Sequence, residues 1–77
     1  MVKEKIYKIE DFQIGMLIEA IIDSDIYKIT GGEAYEIVDV CAMNCGPKIN
    51  FINDIGSNQT KIINARGYPF DKYFKIL

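Results

Sequence analysis

The sequence predicts an all-β domain of five short strands closing into a small barrel, with a short 3-10 turn before the last strand. The strongest sign is residues 33–41, Glu-Ala-Tyr-Glu-Ile-Val-Asp-Val-Cys, whose apolar pattern changes face halfway. Tyr35 and Ile37 share one parity, and Val38 and Val40 share the other. Side chains alternate along a strand, so this switch requires a bulge or a strong coil that lets one strand serve two sheets. Turn signals at Gly31-Gly32 and Asn53-Asp54-Ile55-Gly56-Ser57 separate the alternating stretches. No heptad, repeat or low-complexity tract interrupts them, so one unit is built.

Taken in order, Ile6, Ile9 and Phe12 recur every third residue among Lys5, Lys8, Glu10 and Asp11. Gly15 arrives too soon for several helical turns, which favours an extended entry and a tight turn. Residues 1–14 are thus an N-terminal extension and lid, with Phe12 plugging one end and Gly15 reversing the chain. Residues 16–22 form the first strand, with Met16, Ile18, Ala20 and Ile22 on one face. Residues 23–30 connect it to the coiled strand at 33–41. Residues 42–47 read as a loop, marked by Asn44, Gly46 and Pro47. Residues 48–53 alternate as a strand with Ile49 and Phe51 inward. In the hairpin that follows, Gly56 supplies the left-handed residue after a type I turn. The returning strand spans 59–65 and buries either Ile62 or Ile63. Pro69 suits the first position of the 3-10 turn, and Phe74 and Ile76 alternate in the final strand.

The chain has 77 residues, enough for a single domain over 1–77 near the lower limit for unaided folding. A core of this size supplies only ~3–5 kcal/mol net, which leaves little interior for a buried active site. The formal charge is −2 with acids and bases interspersed, so the basic excess typical of nucleic-acid binding is missing. No apolar run approaches the ~18–20 residues that span a bilayer, and the first residues lack an apolar signal-peptide core. A cytosolic protein is expected.

Cys41 and Cys45 lie four apart, but with no His in the chain they offer half of a zinc site. Cys41 is expected as a small hydrophobe at a strand end and Cys45 as a loop residue. Asp23-Ser24-Asp25 lacks the oxygens and the late Glu of a calcium loop and reads as a solvated tip. No metal and no cofactor are expected. Ser24 and Ser57 have no base, Cys45 has no His partner, and Gly31-Gly32 lacks the strand–loop–helix setting of a phosphate loop. A non-enzyme is expected.

Phe12-x-x-Gly15, Ile29-Thr30-Gly31-Gly32-Glu33-Ala34-Tyr35-Glu36-Ile37, Ile52-Asn53-Asp54-x-Gly56 and Tyr73-Phe74-Lys75-Ile76-Leu77 together resemble small Src-homology-3-like (SH3-like) barrel proteins common in bacteriophage genomes. The stretch from Gly67-Tyr68-Pro69 to Leu77 is also similar to the Pro-containing turn and last strand of eukaryotic signalling domains of this fold. The resemblance covers residues 12–77. The chain departs from the signalling domains in having no Trp and no Ala-Leu-Tyr-Asp-Tyr stretch. The resemblance implies a partner-binding groove of Asp23, Asp25 and Tyr27 with Tyr68, Phe70 and Tyr73, since aromatics supply contact area at low entropy cost. The function it implies is that of a non-catalytic protein-binding module, an accessory protein of a phage or mobile element that inhibits or redirects a host defence protein in the bacterial cytoplasm. The alternative is a nucleic-acid-binding barrel using Lys61, Arg66, Lys72 and Lys75. A second alternative is a small-nucleotide-binding oligomer.

Overall fold

The computed structural model describes residues 7–43 and 46–77. They form one five-stranded antiparallel sheet, with β1 at Leu17–Ala20, β2 at Ala34–Met43, β3 at Gly46–Ile52, β4 at Asn58–Ile62 and β5 at Phe74–Ile76. The order across the sheet is β4-β3-β2-β1-β5, so β4 and β5 are its edges. The ladder does not close, and the expected barrel reduces to a bent, mostly β sheet around an aromatic core.

The expected change of face in β2 is present. Ile37 pairs with Phe51 but Asp39 pairs with Asn50, so Val38 is an extra residue without a partner. Before it, Glu36 and Ala34 pair with Leu17 and Glu19 of β1; after it, Val40 and Cys41 pair with Ile49 and Lys48 of β3. The bulge turns both Tyr35 and Ile37, and then Val40, towards the interior, because each extra residue reverses the alternation.

The reversal before β1 also follows the sequence. Gly15 has φ 95°, a conformation that L side chains rarely adopt. Its N–H donates to the Ile37 carbonyl at 2.8 Å, and the Ile37 N–H donates to the Met16 carbonyl at 2.9 Å. β1 is shorter than expected, however. Ile18 and Ala20 are fully buried, whereas Ile21 and Ile22 are exposed past the end of the ladder, where the Ile21 N–H donates to the Tyr73 carbonyl. β2 and β3 run further than expected, taking in Ala42, Gly46 and Pro47. Cys41 is exposed within β2 instead of ending it as a small core residue. The loop reading of Asn44 and Cys45 lies outside the described residues.

At the β3–β4 hairpin, Gly56 takes φ 80° and its N–H donates to the Asn53 carbonyl at 3.0 Å. The buried Asn53 holds the turn, its Oδ1 accepting from the Ile55 and Ser57 amides at 3.2 and 2.9 Å. In β4, Lys61 faces inward, and the next residue of that parity, Ile63, is buried while Ile62 is exposed. The turn before β5 is one α-helical turn, α1 at Phe70–Tyr73, not a 3-10 turn: the Phe74 N–H reaches back four residues to the Phe70 carbonyl. Pro69 precedes it as the N-cap.

The core is aromatic. Phe51 and Phe70 both lie against Phe74, with ring centroids 5.3 and 5.5 Å away. Phe12 acts as the expected lid, 3% exposed and packed edge-on against Phe70 at 5.2 Å. Tyr7 completes that end, touching Phe12 and Phe70 at 5.3 Å each.

The two adjacent isoleucines offer a direct test of the register. Ile63→Ala is expected to destabilise the fold by ~2–4 kcal/mol in urea denaturation and Ile62→Ala by less than ~1 kcal/mol, and the reverse ranking would contradict the parity described.

Candidate functional site

The expected groove separates into three parts. Tyr27 and Tyr73 meet, Asp23 and Asp25 line a different depression, and Phe70 is sealed in the core.

The loop between β1 and β2 positions Tyr27. Ser24 and Ile29 form an isolated bridge with reciprocal N–H···O bonds of 3.0 Å, closing an inner loop of four residues. Within it, the Tyr27 N–H donates to Ser24 Oγ at 3.3 Å, and Lys28 takes φ 55°. Tyr27 thereby lies back against Tyr73 of α1, ring centroids 5.0 Å apart at 74°. This edge-to-face geometry aligns the positive edge of one ring with the negative face of the other.

Lys61 of β4 completes the cluster. It has no exposed surface. Its Nζ donates to the Ile62 carbonyl at 2.7 Å and to the Tyr68 carbonyl, and lies 5.2 and 5.7 Å from the Tyr27 and Tyr73 ring centroids. Burial pushes the ammonium down to about 8, because the charged form loses hydration. The two carbonyls and two ring faces oppose that shift by favouring the cation. Desolvation first, then the neighbouring Tyr73 and Tyr68, raises the Tyr27 phenol. Tyr68 itself is half exposed at the rim. A buried lysine was not legible as such, although residue 61 shares its parity with Ile63.

Of the four cations proposed as a nucleic-acid footprint, Lys61 is enclosed and Lys75 pairs with Glu19 at 3.3 Å. Arg66 is exposed, and the exposed Lys72 lies 5.9 Å from the Tyr73 ring. The four do not form a continuous basic face.

Asp23 and Asp25 line a depression of about 300 Å³ together with Lys28, Thr30, Asp54 and Ile55. Two of its three carboxylates are engaged by the fold. Asp23 Oδ1 accepts from the Gly31 N–H at 2.7 Å. Asp54 accepts from the Tyr35 hydroxyl at 2.6 Å and from the Thr30 hydroxyl at 2.7 Å, and these two bonds hold its carboxyl below the usual carboxylate range. Among the described residues, no group of three or more His, Cys, Asp or Glu side chains is arranged to hold a metal ion. No helix there is long and apolar enough to cross a membrane.

The Asp54 junction links hairpin and loop in a pH-dependent way. A folded-state carboxyl below its ordinary 3.8 stabilises the fold above that value, and the contribution fades as the pH falls through the lower folded value. Tyr35→Phe is expected to return the Asp54 carboxyl towards its ordinary range in a ¹³C titration and to lower stability at pH 7; an unmoved Asp54 titration would break the assignment. No protein family, no curated protein and no solved structure matches the chain.

Proposed function

We propose that the chain is a non-catalytic protein-binding module on an SH3-like barrel, with the half-buried Tyr27 and the exposed Tyr68 at the centre of its partner surface and the buried Tyr73 supporting Tyr27 from the core. The observation that carries the reading is the convergence of the Tyr27 and Tyr73 rings and the Tyr68 carbonyl, from segments more than forty residues apart in sequence, around one lysine. The barrel assignment is supported by β2 serving two ladders and by the helical turn before the last strand. Tyrosines ordered by their neighbours offer contact area with little conformational entropy left to lose, the usual property of residues that dominate interfaces. In its narrower form the reading is of a phage or mobile-element accessory protein that inhibits or redirects a host defence protein. Enclosure of Lys61 and pairing of Lys75 weigh against the nucleic-acid alternative, whose affinity rests on cations accessible to phosphates.

Affinity capture from a bacterial lysate is expected to retain a discrete protein with the wild type and to lose it with Tyr68→Ala, a change at an exposed side chain that leaves the core packing intact. Parallel titration with labelled single- and double-stranded oligonucleotides is expected to show no micromolar binding. Binding of that strength, lost steeply with added salt, would replace the protein-partner reading by the nucleic-acid one.

A further inference from the structure

Lys61 is an enclosed cation with only neutral neighbours. The groups that face it are the Tyr27 ring from the β1–β2 loop, the Tyr73 ring from α1, the Tyr68 carbonyl from the turn before α1 and the Ile62 carbonyl of its own strand. Across the ladder it pairs with Ile49 of β3, which is fully buried. The Lys72 ammonium, of like sign, lies 5.9 Å from the centroid of the same Tyr73 ring. No carboxylate forms an ion pair with Lys61 among the described residues. Buried charges are ordinarily paired, and this one is solvated by carbonyls and π faces alone.

The cover over this charge is thin. It consists of the Tyr27 ring and the turn at residues 66–69, both of which reach the surface. That turn is held by the Tyr68 N–H to the Ala65 carbonyl at 3.1 Å and, at its far end, by the Phe70 N–H to the Ile63 carbonyl at 3.0 Å. Neither part of the cover belongs to the β2–β3 ladder.

We propose that Lys61 biases this cover towards opening, so that protonation shifts the balance towards an open form that uncovers Tyr27 and Tyr73 and loss of the proton favours the closed one. The proposal rests on the surface around these tyrosines being the partner site for its functional meaning, but the opening itself needs no partner. The direction follows from linkage. The closed site binds a proton less well than the open one, with the group at about 8 when enclosed against an ordinary 10.5, so protonation favours the open form. The opening constant is therefore greatest at neutral pH and falls as the pH rises through 8. Between pH 7 and pH 9 the fall is about tenfold, each unit of difference being a factor of ten. The raised Tyr27 phenol stays neutral over that range and does not compete.

Amide hydrogen exchange of the wild-type chain at pH 7, 8 and 9, corrected for the base-catalysed intrinsic rate, reads the opening directly. The Tyr68 and Phe70 amides are expected to show about tenfold less opening at pH 9 than at pH 7, and Lys61→Met is expected to abolish that dependence. An inflection near pH 8 in the Lys61 Cε resonance is expected to accompany it. A flat or rising profile in the wild type would overturn the proposal, and this arm stands even if Lys61→Met fails to fold. An equal pH dependence in the Ile37 and Phe51 amides would also overturn it, since the charge would then be released only by global unfolding. Partner capture that survives Tyr68→Ala, together with the expected exchange profile, would instead refute the surface assignment and leave the charge-biased cover standing.

Discussion

The structure depends on one strand supplying two differently facing ladders. β2 pairs with β1 over its first residues and with β3 over the rest, and the extra residue Val38 reorients it between the two. Without that step Val40 would face solvent opposite the fully buried Ile49. With it, Tyr35, Ile37 and Val40 all contribute to one interior. The bent sheet then wraps around Phe51 and Phe74, with α1 setting Phe70 beside them. In a chain this short, most of the available large apolar side chains must converge on a single point, and the bulge is what permits it.

Much of this was legible because it rests on local rules. The parity switch at 37–38, the reversal at Gly15, the Asn53–Ser57 hairpin, the Phe12 lid and the inward Ile49 and Phe51 each follow from side-chain alternation or from a backbone angle open mainly to glycine. Features set by distant neighbours were not legible. Ile62 and Ile63 are indistinguishable until β4 is placed against β3. Phe70 looks like an interface aromatic in sequence, and only the arrival of Phe12 and Phe74 makes it core. Closure of the barrel was overestimated because strand patterns specify pairing partners on each side and not whether the two outermost strands meet.

The candidate site shows the same division. The Tyr27 and Tyr73 rings, both named in the expected groove, lie against each other, whereas the lysine beside them was read as a surface cation. Charged side chains are so seldom enclosed that any sequence argument places them outside. Here the side chain is enclosed, and its terminal group finds carbonyls and rings instead of water. The acidic residues expected in the same groove belong to another part of the surface, where Asp23 and Asp54 tie the β1–β2 loop to itself and to the hairpin. One loop thus takes part in two sites with opposite character, one around a buried cation and one lined by carboxylates.

The Tyr7 segment carries a consequence of a different kind. Asn64 pairs with the Tyr7 backbone through both halves of its side-chain amide, its Oδ1 accepting from the N–H at 3.2 Å and its Nδ2 donating to the carbonyl at 2.9 Å, and the Tyr7 hydroxyl donates to Asp71. These bonds join positions 57 and 64 residues apart, so the rest of the fold must hold the two ends together for them to persist against the entropy of so long a loop. The first residues described are thus tied to the far end of the chain, and trimming them would uncover the aromatic end that Tyr7 shares with Phe12 and Phe70.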